Sequence, residues 1–159
     1  MKRSQQTLIA FIAFICIAST SFIALAANNT ETKRVAGNGK IQSKSVSLEN
    51  FKGINVGGNF MMVINSGTEP KVVVTSDENI LPYINLSVSH QQLNIGQQSG
   101  INLSPSKLTK IQITVPKLNN INISGNTMLQ ANNINTDSLA LIMGGKTSGN
   151  LQGEIKIYN

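Results

Sequence analysis

The sequence predicts an all-β fold of one domain, and three observations support this class. First, 20 Ile and 20 Asn stand among 159 residues, and β-branched Ile favours strands while Asn favours turns. Second, charged residues make up only 13% of the chain and Trp is absent, which is untypical of coiled coils and of acidic disordered chains. Third, aliphatic and polar residues alternate through most of the chain after residue 46, as in strands with one buried face.

Residues 1–26 have the three-part layout of a secretory signal peptide. Two basic residues precede a long apolar run, and the small side chains of Ala24 and Ala26 fit the shallow pockets of a signal peptidase. We expect cleavage between Ala26 and Ala27. The alternative is an uncleaved membrane anchor, because the apolar stretch 8–27 has the length of about 20 residues that crosses a bilayer.

Export leads to an oxidising compartment, yet disulfides cannot stabilise the mature fold, because the one cysteine, Cys16, lies in the signal segment. Removal of Lys2 and Arg3 lowers the formal net charge from +6 to +4, and the remaining lysines are spread singly. This pattern lacks the clustering of a nucleic-acid-binding surface. We therefore expect no nucleic-acid partner, and membrane contact only through the signal segment.

The mature chain divides into a flexible polar leader, residues 27–45, and one β domain, residues 46–159. The leader is rich in Asn, Thr, Gly and Lys and shows no apolar periodicity. Within the domain, the alternation changes parity around His90, which predicts a hairpin turn or bulge there. Residues 97–107 are polar and predict a loop.

A recurrence of 20 residues favours a β-solenoid. The segment from Ile121 to Gly125 falls on the segment from Leu141 to Gly145, as one coil stacked on the next would require. Inward aliphatic residues would then stack on each other, outward Asn and Ser would form ladders, and Gly125 and Gly145 would serve as corners with positive φ. An antiparallel β-sandwich also explains the alternation and remains open.

The domain resembles the head GIN domain family, described as auto-transporter adhesins. The likeness begins with Gly53-Ile54-Asn55, the triplet that names the family, and continues through a valine-proline-x-leucine step at Pro116 and a serine-glycine pair at Ser124-Gly125. The resemblance covers residues 51 to about 153.

The resemblance implies an exported bacterial protein of the cell envelope, periplasmic, on the outer surface or secreted, folded as a single-stranded right-handed parallel β-helix. It implies structural roles for the motif residues, which are Gly53, Ile54, Asn55, Pro116, Ser124, Gly125 and Gly145. Family members usually continue for several more coils, so an open last coil is expected at residues 154–158. That coil could mediate self-association, and a truncated family member is the other interpretation.

The sequence offers little for catalysis or for binding a metal or cofactor, and none of these is expected. Among the acidic residues only Asp77 and Glu78 are adjacent, and neighbouring side chains of a strand point to opposite faces. A turn cap is therefore favoured over a calcium site. The single histidine, His90, has no second His or Cys to share a metal.

These observations lead to a non-enzymatic envelope protein that binds a glycan or an envelope protein through the polar faces of its β-helix. Two alternatives stay open. One is a degenerate carbohydrate-active β-helix enzyme, and the other is a membrane-tethered structural protein of the envelope.

Overall fold

A computed structural model describes residues 32–155, so the signal segment and the cleavage residues Ala24, Ala26 and Ala27 lie outside the described residues. The strands are β1 (Lys33–Ala36), β2 (Ile41–Ser47), β3 (Gly53–Gly58), β4 (Met61–Ser66), β5 (Lys71–Asp77), β6 (Ile84–Ser89), β7 (Gln92–Gln97), β8 (Ile101–Ser104), β9 (Lys110–Val115), β10 (Asn120–Gly125), β11 (Met128–Thr136), β12 (Ala140–Met143) and β13 (Ser148–Ile155). One 3-10 turn, Leu81–Tyr83, separates β5 from β6. Within this part of the chain, no helix has the length and apolar character needed to cross a membrane.

Two large sheets share the strands. The five-stranded sheet, here called the front sheet, has the order β12-β10-β3-β7-β6, and the six-stranded back sheet has the order β13-β11-β4-β9-β5-β2. In each sheet the first four strands run parallel, whereas β6, β5 and β2 run antiparallel to their neighbours. The strands β1 and β8 form a separate parallel pair.

The parallel ladders arise because the chain passes repeatedly from the front sheet to the back sheet. Strand β3 leads into β4, β10 into β11 and β12 into β13, and each such coil lies beside the preceding one. In the last two coils Asn120 pairs with Ala140 and Ile121 with Leu141, which confirms the recurrence of 20 residues as a structural register. The pairing of Asn120 with Gly53 extends the same stack to a third coil.

The all-β class is confirmed, but the parallel β-helix is not confirmed as a description of the whole domain. After β4 the chain turns back and β5 runs antiparallel to β9, while β6 and β7 form a hairpin. The mixed sheets that result also fit the sandwich-like alternative. The change of parity around His90 is explained by this hairpin, whose two turn residues, His90 and Gln91, have φ of 51° and 59° as in a tight two-residue turn.

Two segments for which the sequence predicts irregular structure contain strands. β1 and most of β2 lie in the 27–45 segment expected to be a flexible leader, and β8 lies in the 97–107 loop. All three pair with other strands, but β1 and β2 are mostly exposed. Strands that bury neither face need no alternation of apolar and polar residues, so periodicity could not reveal them.

The front and back sheets contribute their inward side chains to one hydrophobic core. Its fully buried members come from both sheets and include Ile54, Met62, Ile64, Leu93, Ile111, Ile113, Ile121 and Ile123. The aliphatic residues that the recurrence predicts to be inward are thus buried as far as β10. In the last coil Leu141 and Met143 remain exposed, because β12 is an edge strand.

The coils turn from front to back at three glycines, here called the corner glycines: Gly58, Gly125 and Gly145. Their φ values are +146°, +99° and +80°, which L side chains rarely adopt. A Cβ on Gly125 would lie 2.5 Å from the carbonyl oxygen of Gly58, and one on Gly145 would meet the carbonyl oxygen of Gly125. Backbone therefore stacks directly on backbone at this corner, where the Asn126 amide donates a 2.9 Å hydrogen bond to the Gly58 carbonyl.

Replacement of a corner glycine should lower the free energy of unfolding by more than the strain of a positive φ alone would. We expect Gly125→Ala to lower the free energy of unfolding by at least about 3 kcal/mol, since the clash with Gly58 adds to the cost of positive φ. The matched control is Gly39→Ala, because Gly39 has φ +79° but nothing within 4 Å of its Cβ position. That variant should lose only about 1 kcal/mol in equilibrium urea unfolding. Equal losses for the two variants would contradict the stacking argument.

Candidate functional site

The outer surface of the front sheet carries rows of amide and hydroxyl groups, because every second residue of its strands points away from the core. Asn55 pairs in register with Asn94 on one side and with Asn122 on the other. One step along the strands, Gly53 lies between Gln92 and Asn120. This surface is called the amide face and comprises Asn55, Gln92, Asn94, Asn120, Asn122 and Ser124.

An amide bridge crosses Gly53. The Gln92 Nε2 donates a 3.2 Å hydrogen bond to Asn120 Oδ1, although the two residues lie on strands separated by β3. A Cβ on Gly53 would collide with both amide groups, so only glycine leaves room for the bridge. The first residue of the triplet therefore allows two neighbouring side chains to meet above the backbone.

A second row of hydrogen bonds runs through the asparagines. Asn55 Nδ2 donates to Asn94 Oδ1 at 3.3 Å, and Asn94 Nδ2 donates to Ser89 Oγ at 3.1 Å. At the end of β10, the Ser124 hydroxyl donates to the carbonyl oxygen of Val56 at 3.1 Å. These bonds orient the side chains in a ladder while Asn55 and Asn122 remain exposed to solvent.

The amide face is electrically neutral. The strands of the front sheet contain no Asp, Glu, Lys or Arg, whereas the back-sheet strands include Lys44, Lys71 and Lys110. Each carboxamide has an acceptor oxygen and two donor hydrogens. The face can therefore exchange hydrogen bonds with uncharged hydroxyl-bearing molecules, and its strands carry no charged group that would attract an ion.

The structure separates the motif residues named from the sequence. Ile54 lies in the core, while Gly53, Asn55 and Ser124 come together at the amide face and Gly125 and Gly145 form its corner. Pro116 lies just beyond β9, where with Phe51, Lys52 and Lys117 it lines a groove of about 410 Å³.

Sequence reasoning did not single out Gln92, Asn94 or Asn120 as parts of a site. Each is next to a buried aliphatic residue in an alternating strand, which places it on the outer surface. The alternation predicts that each of these residues lies on the outer surface of its sheet. It does not predict which residues of other strands lie beside it, since Asn55 and Asn94 are 39 residues apart in sequence.

The two adjacent acidic residues hold the first strands against the domain. The buried Asp77 carboxylate accepts hydrogen bonds from the Gly39 amide at 2.7 Å, the Ser106 amide at 2.9 Å and the Ser106 hydroxyl at 2.6 Å. Glu78 accepts from Asn38 Nδ2 at 3.0 Å and forms a 3.4 Å ion pair with Lys40. Asp77 and Glu78, together called the acidic clamp, therefore act as structural acceptors.

The hydrogen bonds of the clamp also change the acidity of Asp77. The Ser106 hydroxyl, with the Ser106 and Gly39 backbone amides, lowers the pKa of the Asp77 carboxyl below its ordinary value, even though burial acts in the opposite direction. Within residues 32–155 no group of three or more His, Cys, Asp or Glu side chains is placed to hold a metal ion.

Comparison with known families gives one match. The family model described as "Putative auto-transporter adhesin, head GIN domain" matches residues 50–159. No curated protein matches the sequence.

Several solved structures are similar to the chain. A "putative adhesin" of Bacteroides fragilis has a TM-score of 0.64 at 21% identity, covering 74% of this chain and 54% of its own. A "putative adhesin" of Parabacteroides distasonis has a TM-score of 0.59 at 23% identity, and the match covers 74% of this chain and 58% of that structure. A "putative lipid binding protein" of the same species has a TM-score of 0.54 at 24% identity, and the match covers 65% of this chain and 48% of that structure. The chain thus spans about half the length of these structures, and at such identities the likeness concerns the fold.

The acidic clamp should make the stability of the protein depend on pH. The pKa of the Asp77 carboxyl is lower in the folded protein than in the unfolded chain. The ionised carboxylate therefore stabilises the folded state fully above the pKa of an unfolded Asp, about 3.9, and this stabilisation is lost as the pH falls through the pKa of the folded state. We expect Asp77→Asn to lower the urea midpoint of unfolding at pH 7. The midpoint of this variant should also fall less than that of the unaltered protein when the pH is lowered from 5 to 3. The control Asp137→Asn removes a carboxylate that is 65% exposed and should change neither quantity. An unchanged midpoint for Asp77→Asn would contradict the clamp.

Proposed function

Because the chain belongs to the head GIN domain family, we propose that it is an exported, non-enzymatic adhesion module that binds neutral glycans of the cell envelope through its amide face. The single observation that carries this proposal is the hydrogen-bonded, uncharged ladder of Asn and Gln side chains on the front sheet.

The chemistry of the amide face matches that of sugars. A sugar hydroxyl both donates and accepts hydrogen bonds, and so does each carboxamide. Side chains that are already held by the Gln92–Asn120 and Asn55–Asn94 hydrogen bonds lose less conformational entropy when a ligand binds. The strand spacing repeats the same groups about every 4.8 Å, which suits a ligand made of repeated units.

The reactive side chains of the domain support a binding role over a catalytic one. Asp77 and Glu78, the pair that a carbohydrate-active enzyme would need, are engaged in the acidic clamp by the connection between β1 and β2 and by Ser106. Glycoside hydrolysis requires one carboxyl group that can donate a proton, and the lowered pKa of Asp77 is the opposite of that property.

We also propose that the three stacked coils belong to a right-handed parallel β-helix, flanked by antiparallel strands on one side. The register of 20 residues between β10 and β12 and the stacked corner glycines support it. A crystal structure of the exported chain that gave left-handed connections between coils would contradict it.

Glycan binding should be lost when the amide face is altered. On an array of neutral and acidic glycans we expect selective binding of neutral ones. Asn55→Ala and Asn122→Ala should each weaken it at least about fivefold, since each removes a hydrogen-bonding group worth about 1 kcal/mol or more. The controls Gln112→Ala and Gln130→Ala remove exposed amides from the back sheet and should change binding less than about twofold.

Three results would contradict this function. They are the absence of binding to any glycan, equal losses for front-sheet and back-sheet variants, and turnover in polysaccharide hydrolysis assays that Asp77→Asn abolishes.

Export can be tested separately. We expect mass spectrometry of the protein recovered from its host to show an N-terminus at Ala27, because the small side chains of Ala24 and Ala26 suit signal peptidase. A retained Met1 in the membrane fraction would favour the tethered alternative.

A further inference from the structure

Asn38 and Gly39 form the only Asn-Gly pair of the sequence, although the chain contains 20 Asn. This is the context in which an Asn side chain loses its amide most readily, because a following residue without a side chain leaves its backbone nitrogen free to approach the carboxamide carbon. The pair lies in the connection between β1 and β2, and both residues are exposed. Nothing lies within 4 Å of the Cβ position of Gly39, so the pair is accessible to water.

Loss of the amide is a reaction of the chain with itself and then with water. The Gly39 nitrogen bonds to Cγ of Asn38, the bond from Cγ to Nδ2 breaks, and Nδ2 leaves as ammonia with the proton that the Gly39 amide gives up. Water then opens the five-membered imide at either of its two carbonyl carbons. The products are an aspartate and its β-linked isomer, in which the main chain runs through the former side chain.

The acidic clamp and its surroundings hold both reacting groups. Asn38 Nδ2 donates to Glu78 Oε1 at 3.0 Å, and Asn38 Oδ1 accepts from the Lys40 amide at 3.0 Å. The Gly39 amide donates to Asp77 Oδ1 at 2.7 Å. Departure of Nδ2 breaks the bond to Glu78, and a deprotonated Gly39 nitrogen would lie beside a carboxylate, where like charges repel. The folded arrangement therefore opposes the reaction at two steps.

The product of the reaction cannot restore the clamp. A carboxylate oxygen would stand in the place of Nδ2, 3.0 Å from Glu78 Oε1, so two acceptors and two negative charges would meet. Lys40 Nζ lies 3.4 Å from the same oxygen but offsets this only in part, because its side chain is 73% exposed. The β-linked isomer adds one atom to the main chain and would displace the Gly39 amide from Asp77.

We propose that Asn38 is a modification site at which deamidation acts as a one-way switch on the attachment of β1 and β2. The acidic clamp keeps the residue unmodified while the connection between these strands stays in place, and opening of the connection permits a change that prevents its return. The core is retained, because β2 is an edge strand and mostly exposed. The inference goes beyond the proposed function and does not depend on glycan binding.

The rate of deamidation tests the protection. The exported protein is incubated at mildly alkaline pH, folded or in urea, and peptide mapping by mass spectrometry follows Asn38. The folded protein should react at least about tenfold more slowly than the unfolded chain, and Asp77→Ala should raise the folded rate at least about fivefold. The control Asp137→Ala removes an exposed carboxylate outside the clamp and should change the rate less than about twofold. Equal rates for folded and unfolded protein, or for Asp77→Ala and the unaltered protein, would overturn the proposal.

A donor-acceptor exchange tests the consequence of the modification. Asn38→Asp reproduces the product with a normal main chain and should speed hydrogen exchange of the β1 and β2 amides at least about fivefold, while β4 keeps its protection. In Asn38→Asp/Glu78→Gln the new carboxylate can accept from the new amide, whose oxygen still accepts from Gln42 Nε2. This double variant should return exchange to within about twofold of the unaltered protein. Unchanged exchange in Asn38→Asp, or no recovery in the double variant, would contradict the switch.

Discussion

The architecture depends on close contact between backbones at the corner glycines. Where Gly58, Gly125 and Gly145 stack, no side chain separates one coil from the next. This contact restricts the register of β10 above all, because a shift of one residue would bring the Cβ of Ser124 or Asn126 into the corner and reverse which side chains face the core. A single steric requirement thus determines the buried aliphatic rows and the exposed rows at once.

The amide face is the outward consequence of that register. Because Ile54 and Ile121 must both lie inward, Asn55 and Asn122 must both lie outward and side by side. Gly53 then permits the Gln92–Asn120 bridge to form above it. The polar chemistry of this protein consists of aligned neutral groups, and the charged groups with short contacts, Asp77 and Glu78, serve the attachment of the first strands.

The edge strands differ between the two ends of the stack. At one end, the antiparallel strands β2 and β6 form the edges of the sheets, and the acidic clamp ties residues 38–40 to the end of β5. At the other end, β12 and β13 expose residues of core character. Among the described residues, the aliphatic pattern of the core therefore extends as far as the edge strands β12 and β13.

The sequence by itself determined the all-β class, the 20-residue register between Ile121 and Leu141, the glycine corners and the reversal around His90, because each is a local or periodic property of consecutive residues. Only the tertiary structure decided that β1, β2 and β8 are strands, that β5 runs antiparallel to β9, and that Gln92 meets Asn120. These features depend on pairing between segments far apart in the chain. Many such pairings satisfy the same alternation, and the packing of the complete core selects among them.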